Sequence, residues 1–252
     1  MAVYMASDIH LGLEFGTKSP KEREKQFVDW LRSIENDCSE LFLVGDIFDF
    51  FFEWKHVVPK GAVRTLAALS ALVDRGVEVH FFPGNHDLWV NDYLSKECGI
   101  IIERQPMIRV IGGYKFFIAH GDDYCKHGFF GAIIFGLFHS SWARKIGSWL
   151  IHPDLLMAFG LRWSLSNRLR RGGVAHIFGR EDDFLVSFAR KYLVTVDSGI
   201  DYFVFGHEHT PLIYRLNETS QLVILGEWLA NPMVVCVDEG GLVLVGPSVE
   251  EK

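Results

Sequence analysis

Apolar and polar positions in the N-terminal third of the chain predict buried strands that alternate with amphipathic helices. Continuous apolar runs, which suit strands covered on both faces, extend over Val3–Ser7, over Leu41–Val44 and from Val79 to Pro83. Two segments between them place apolar residues on one helical face. This order of elements implies right-handed crossovers and a buried sheet whose strand ends share one edge.

Both helices have recognisable ends. Ser19 is the expected N-cap of the first, with Pro20 in the first turn and Glu22 completing a capping box. Its apolar face consists of Phe27, Trp30, Leu31 and Ile34. The second helix extends from about Gly61 to Arg75, and Gly76 is placed to form a left-handed C-terminal cap. Its expected inward face consists of Val63, Leu66, Leu69, Leu72 and Val73.

The pattern changes after residue 121. Strands are expected at Lys115–Ala119 and Tyr202–Phe205, and residues 212–245 have the composition of closing strands for the second half of the core. Residues 122–190 show helical periodicity with little strand signal. We therefore expect an α/β core formed by residues 1–121 and 191–252, interrupted by a helical cap over residues 122–190.

Composition excludes some classes of protein. The 252 residues are 49% hydrophobic and 23% charged, as in an ordinary folded domain. We expect neither a signal peptide nor a membrane span, because no charged segment with an apolar run precedes the first strand and no long uncharged apolar stretch occurs. The four cysteines lack paired spacing, which fits a reducing, cytoplasmic compartment. A net charge of −7 argues against nonspecific nucleic-acid binding.

Metal-binding side chains follow five of the expected strands. They are Asp8, His10, Asp46, Asp49, Asn85, His86, Asp87, His120, His207 and His209. Open α/β sheets place ligands outside the carboxyl ends of their strands, so these groups should converge. Carboxylate, imidazole and amide together suit manganese, iron or zinc. The set is too large for one ion, and Asp46 could bridge two ions ~3.5 to 4 Å apart through its two oxygens.

Each motif alone also has an ordinary structural interpretation. "SDIH" could form a helix N-cap, "GDIFD" and "PGNHD" could form turns, and a single histidine is more often a hydrogen-bonded residue than a ligand. Five independent turns would not need histidines. The order D-x-H, G-D-x-x-D, G-N-H-D, H-G and G-H-x-H therefore favours a metal centre.

This ordered set resembles the signature of the calcineurin-like metallophosphoesterase superfamily, from Tyr4 to about Pro211. The resemblance implies a four-layer αββα sandwich and two divalent metal ions. It implies one ion held by Asp8, His10, Asp46 and His209, and another held by Asp46, Asn85, His120 and His207. It also implies that His86 contacts the substrate phosphoryl group and that Asp87 orients His86.

Four further segments resemble the UDP-2,3-diacylglucosamine hydrolase family of lipid A biosynthesis, in its Bacteroidetes form. They are "GDIFDFFFEWKHVVPKG", "FFPGNHDLWVNDYL", "HPDLLMAFGLRWSLSNR" and "LGEW". The resemblance implies hydrolysis of the substrate diphosphate to UMP and 2,3-diacylglucosamine 1-phosphate, with manganese as the usual ion. His86 departs from the arginine of proteobacterial members. The expected substrate contacts are Asn85, His86, Asp122, Ser166 and Arg168.

The helical segment is compatible with a lipid substrate. Residues 128–138 and 149–163 are rich in aromatic and aliphatic side chains that could line an acyl-chain groove, or could simply bury one another. Interspersed basic residues predict peripheral attachment to the cytoplasmic face of the inner membrane. Two other functions stay open: a phosphoesterase for another substrate, and a noncatalytic scaffold on the same fold. The complete ligand set disfavours the scaffold, and nothing indicates an oligomeric state.

Overall fold

Two mixed β-sheets form the centre of the protein. A computed structural model describes residues 1–124, 136, 140–170, 181, 183–230 and 232–247. The first sheet has the order β11-β10-β1-β2-β3-β4 and the second β5-β6-β7-β9-β8. Strands of the first sheet are β1 (Ala2–Ala6), β2 (Cys38–Val44), β3 (Glu78–Phe82), β4 (Ile101–Ile102), β10 (Val234–Asp238) and β11 (Gly241–Val245). Strands of the second are β5 (Met107–Ile111), β6 (Tyr114–Ala119), β7 (Tyr202–Phe205), β8 (Leu212–Arg215) and β9 (Gln221–Ile224).

The closing strands divide between the sheets. As predicted, β8 and β9 complete the half of the core that contains β6 and β7. The prediction was wrong for β10 and β11, because β10 pairs antiparallel with β1 and so extends the first sheet. The chain therefore returns to its own first strand before it ends.

Helices cover the outer faces of both sheets, which gives the expected four layers. On the first sheet lie α1 (Pro20–Ser33), α2 (Val63–Asp74) and α3 (Tyr93–Cys98), whose buried side chains form one cluster with those of β2. Between the sheets, Met5, Phe42 and Val44 meet Ile118 and Val204. On the second sheet lies α6 (Phe184–Thr195). The αββα sandwich is confirmed.

The predicted helix ends are confirmed, and one predicted core residue is not. Ser19 Oγ accepts from the Glu22 backbone N–H and Glu22 Oε2 accepts from that of Ser19, which forms the capping box of α1. On α2, Leu69 and Leu72 are buried, and Leu66 and Val73 pack against the core. Val63 is 71% exposed, at the first position of the helix, whereas Thr65 in the same turn is buried.

Between residues 122 and 190 the structure describes a 3₁₀ turn at Asp122–Tyr124, α4 (Ser141–Leu150), α5 (Pro153–Arg170) and the start of α6. The expected boundary at residue 190 falls within α6, and Leu185, Val186 and Ala189 belong to the core cluster around Phe117. Helix α6 is therefore a core layer. Residues 125–135 and 171–180 of the expected cap lie outside the described residues.

Helix α5 contacts the loop that follows β2. Leu156 and Met157 pack against the aromatic cluster of Phe50, Phe52 and Trp54. A Cβ at Gly160 would lie 2.4 Å from the Phe50 ring, so only glycine permits this close approach. None of the described helices combines the length and the apolar character that a membrane span requires.

Candidate metal centre

The predicted ligands converge where β1, β2 and β3 of the first sheet and β6 and β7 of the second end. The loops beyond these strands continue to pair, as the Asp8 N–H donates to Gly45 O and the His10 N–H to Asp46 O. Five of the six described non-glycine residues with left-handed backbones are predicted ligands: Asp8, His10, Asp46, His207 and His209, with φ between 48° and 67°. Such conformations carry a strain that is typical of functional sites.

The first group of candidate ligands consists of Asp8, His10 and His209. Asp8 Oδ1 lies 3.2 Å from His209 Nε2 and 3.8 Å from His10 Nε2. The other Asp8 oxygen, Oδ2, accepts hydrogen bonds from Ser7 Oγ (2.5 Å) and from the His207 backbone N–H (3.0 Å). These two donors fix the carboxylate so that Oδ1 faces the two imidazoles.

The second group consists of Asp46, His120 and His207, joined by Asn85. His120 donates from Nδ1 to Val44 O (2.9 Å), which leaves Nε2 facing Asp46 Oδ2 at 3.5 Å. His207 Nδ1 lies 3.0 Å from Asn85 Oδ1. Within each group of three acidic or imidazole residues, the ligand atoms lie within 4.8 Å of one another. The seven predicted ligands thus form two adjacent groups.

Asp46 lies between the groups, and its two oxygens have different surroundings. A single oxygen, Oδ2, faces both groups, at 4.0 Å from His10 Nε2 and 3.5 Å from His120 Nε2. Oδ1 instead accepts a hydrogen bond from the His86 backbone N–H at 2.9 Å. Oδ2 is therefore the oxygen best placed to lie between two ions, and a bridge through both Asp46 oxygens stays a prediction.

The residues present fit a pair of cations. Asp8 Oδ1, His10 Nε2 and His120 Nε2 are buried and find no hydrogen-bond partner within the described residues. Buried polar atoms without partners are costly, and a bound cation would satisfy all three. Gly45 and Gly84 leave room for the His120 and Asp46 side chains. A Cβ at Gly45 would lie 2.2 Å from His120 Nδ1, and one at Gly84 would lie 2.3 Å from Asp46 Oδ1.

The surroundings of the candidate ligands shift their pKa values in directions that agree with this fit. Burial, reinforced by the charge of Arg168, holds the pKa of His10 well below its usual range, so its imidazole is neutral and able to coordinate a cation. Burial raises the pKa of Asp46, but the neighbouring His120 and His86 outweigh it and hold that pKa well below its usual range. Burial also raises the pKa of Asp8, a cost that a cation would offset.

His86 lies beside the metal groups, and its partner is not the predicted one. His86 Nδ1 donates to the backbone oxygen of Asp49 at 2.7 Å, and its ring meets that of His10 edge-on with centroids 4.9 Å apart. Asp87 was expected to orient His86. Its carboxylate instead accepts from the backbone N–H groups of Gly84, Asp46, Ile47 and Phe48 at 2.7 to 3.3 Å. Asp87 therefore joins the loops after β2 and β3, and backbone donors engage both of its carboxylate oxygens.

Two positioning residues, Glu227 and Arg23, were not assigned by sequence reasoning. Glu227 Oε2 lies 3.0 Å from His209 Nδ1, and this partner fixes the imidazole with Nε2 toward Asp8. The fully buried Arg23 donates to the backbone oxygens of His10, Leu13 and Phe15, which holds the loop after β1. Glu227 lies in the quoted segment "LGEW". Neither Glu227 nor Arg23 carries a spacing signal, since each acts on a distant part of the chain.

The comparisons with known proteins agree with this geometry. A sequence model described as calcineurin-like phosphoesterase matches residues 1–211. The chain belongs to the calcineurin-like phosphoesterase family. The resemblance drawn from the strand-end motifs is thereby confirmed, and the chain is a metal-dependent hydrolase of a family that uses two metal ions.

Full-length relatives are more specific. A Porphyromonas gingivalis protein named UDP-2,3-diacylglucosamine hydrolase is 31% identical, over 99% of this chain and 98% of its own. A protein of the same name from Nitrosococcus oceani is 24% identical over 95% of this chain and 93% of its own. Another from Pseudomonas savastanoi is 23% identical over 96% of this chain and 94% of its own. The similarity of this phosphoesterase to them includes the segment between β6 and β7.

The predicted substrate contacts lie at different depths in the site. Arg168 extends from α5 to within 4.0 Å of Glu227 Oε2, and Asp122 is buried just beyond His120. Ser166 is half-buried on α5. A further serine of α5, Ser164, was not predicted: its Oγ donates to Asp49 Oδ1 at 2.7 Å. Helix α5 is thus hydrogen-bonded to the side chain of Asp49, and the backbone oxygen of the same residue accepts from His86.

Proposed function

We propose that this phosphoesterase hydrolyses the diphosphate of UDP-2,3-diacylglucosamine, releasing UMP and 2,3-diacylglucosamine 1-phosphate in lipid A biosynthesis. The observation that carries the proposal is the similarity to proteins of that name over nearly the whole of both chains, including helix α5 beside the metal centre. A likeness confined to the strand-end motifs would support only a phosphoesterase of unspecified substrate.

In this proposal the two metal ions are held as the strand ends suggest. Asp8, His10 and His209 hold one ion, Asn85, His120 and His207 hold the other, and Asp46 lies between them. When bound, such a pair lowers the pKa of water and stabilises charge on the attacking and leaving oxygens. Manganese fits the mixture of carboxylate, imidazole and amide, as do iron and zinc.

His86 and Arg168 act on the phosphates. Asp49 O accepts from His86 Nδ1, so Nε2 is the ring nitrogen left to contact a phosphoryl oxygen. The Arg168 guanidinium adds positive charge on the side of Glu227. The departing lipid is a phosphate monoester with a second pKa of about 6, so it can leave without an obligatory proton. Asp122 and Ser166 complete the proposed contacts.

Helices α4 and α5 would meet the acyl chains and the membrane. Exposed large apolar side chains on them include Trp142, Trp149, Leu150, Leu155, Phe159 and Leu169, and Trp149 is 85% exposed. The exposed Lys145 and Arg162 lie among them. Apolar and basic side chains together suit an anionic membrane surface, so we place the protein on the cytoplasmic face of the inner membrane. Absence of binding to anionic liposomes at low salt in a flotation assay would contradict this placement.

The substrate is tested by stripping the protein of metal, adding Mn²⁺ and offering UDP-2,3-diacylglucosamine beside a generic phosphodiester. We expect UMP release from the lipid, loss of activity on chelation, and loss of activity in Asp46→Ala. Hydrolysis of the generic ester without UMP release would favour a phosphoesterase of another substrate. Hydrolysis of neither compound at any metal concentration would favour a scaffold.

A further inference from the structure

A second group of metal-ligating side chains lies between the two sheets, toward the amino ends of β2 and β3. We call Glu40, Glu78, His80, Glu103 and Arg109 the β2–β3 cluster. Glu40 and Glu78 are neighbours in the register of the parallel strands, and Arg109 reaches them from β5 of the second sheet. Asp46 follows Glu40 by a strand length, about 20 Å at ~3.3 Å per residue. The cluster is therefore separate from the metal centre.

The surroundings of His80 are typical of a metal-ligating histidine. It is 4% exposed, and its ring stacks on Phe42 with centroids 4.8 Å apart. Its Nδ1 lies 3.0 Å from Glu103 Oε1, which fixes the tautomer with the proton on Nδ1. Among the described residues, Nε2 has no hydrogen-bond partner and points toward Glu78 Oε2 at 3.6 Å. A carboxylate behind an imidazole whose other nitrogen is directed at acidic side chains is typical of metal sites.

The charges of the cluster are not balanced. The cluster has three carboxylates and one guanidinium, and Arg109 Nη2 lies 3.0 Å from Glu40 Oε2 and 3.3 Å from Glu78 Oε2. The three carboxylates and the guanidinium together sum to two net negative charges. A divalent cation would neutralise them. Because the carboxylates are partly exposed, such an ion can enter from solvent.

We propose that Glu40, Glu78 and His80 bind a divalent cation, best matched by Zn²⁺, at a site distinct from the metal centre. Their ligand atoms already lie within 4.8 Å of one another. Bond lengths of about 2.0–2.2 Å place the ligands of a tetrahedral zinc site roughly 3.3 Å apart, so rotamer changes of the two glutamates close the site. Water completes the coordination.

Arg109 is the competitor for this ion, because it pairs with the same two carboxylates. Binding requires its guanidinium to turn outward, which its partial exposure allows. Removal of its charge therefore tightens zinc binding, by about tenfold for one positive charge a few ångströms away at a partly solvated site. A purely structural ion-pair cluster would make the opposite prediction, since loss of Arg109 would only loosen it.

The test counts zinc per full-length chain after equilibration with Zn²⁺ and removal of free metal, in the wild type and in four variants. We expect Glu78→Gln and His80→Gln each to bind one equivalent fewer than the wild type, with hydrolase activity unchanged. Glu218→Gln, a matched loss of an exposed acid on the β8–β9 turn, should retain the wild-type count. Arg109→Met should retain it and bind the additional equivalent about tenfold more tightly in competition with a chelating dye.

Equal zinc counts in the wild type and Glu78→Gln would overturn the proposal. Loss of one zinc equivalent from the control Glu218→Gln as well would also overturn it. Glu78 is largely exposed, so this comparison holds even if His80→Gln folds poorly. An Arg109→Met variant with unchanged or weaker zinc binding would also contradict it. Phosphoesterase activity measured on the same samples separates this result from the proposed function, which depends on the metal centre alone.

Discussion

Ser164→Ala tests whether helix α5 is an integral part of the active site. The wild-type Ser164 hydroxyl donates to Asp49 Oδ1 at 2.7 Å, and both side chains are buried. A hydrogen bond to a charged group is worth about 1.5–3 kcal/mol, and its loss leaves a buried carboxylate oxygen with only distant imidazoles at 3.4 and 3.7 Å. A decrease of about 2 kcal/mol in the free energy of unfolding corresponds to a fall in Tm of roughly 4–8 °C for a chain of this size.

The same substitution should slow the reaction. Asp49 holds His86 through its backbone oxygen, so a displaced Asp49 lets the His86 ring move, and we expect kcat to fall by about tenfold. Calorimetry and hydrogen exchange within α5 measure the first effect, and UMP release at saturating substrate measures the second. Ser148→Ala is the matched control, because the Ser148 hydroxyl donates to Lys145 O within its own helix. A Ser164→Ala variant that behaves like Ser148→Ala in both assays would refute the coupling.

Three further substitutions test individual roles in the metal centre. His86→Ala should lower kcat by about 10²–10⁴-fold with both metal equivalents retained, and loss of an equivalent would show that His86 is a ligand. Glu227→Ala should weaken metal binding about 10–100-fold because His209 loses the carboxylate at its Nδ1; an unchanged affinity by metal titration would refute that role. Gly84→Ala should abolish metal binding because its Cβ would overlap Asp46 Oδ1, whereas Gly147→Ala, with open space around it, should bind normally; full metal content in Gly84→Ala would contradict the geometry.

The convergence of the candidate ligands could be predicted because each strand end carries its own local signal. Asp8 and His10 follow an apolar run, as do Asp46, Asn85 and His120, and the strand order brings such ends to one edge. The capping box of α1 was predictable for the same reason, since Ser19 and Glu22 lie within one turn. Features that depend on a few consecutive residues can therefore be recognised from the sequence.

The positioning residues could not be predicted because their partners are distant in sequence. Asp87 accepts from Asp46, Ile47 and Phe48 across about forty positions, and Ser164 reaches Asp49 across 115. Adjacency to His86 suggested that residue as the partner of Asp87, but the Asp87 carboxylate accepts from backbone N–H groups instead. Which sheet β10 joins also depends on pairing with β1 at the other end of the chain, and no local pattern specifies that.

A crystal structure of the Mn²⁺-loaded protein, with anomalous data recorded near the manganese absorption edge, tests the dinuclear centre most directly. The geometry predicts two anomalous peaks ~3.5 to 4 Å apart, with Asp46 Oδ2 between them and Asp8 and Asn85 on opposite sides. A single peak, or two peaks that the strand-end histidines and carboxylates do not contact, would contradict it.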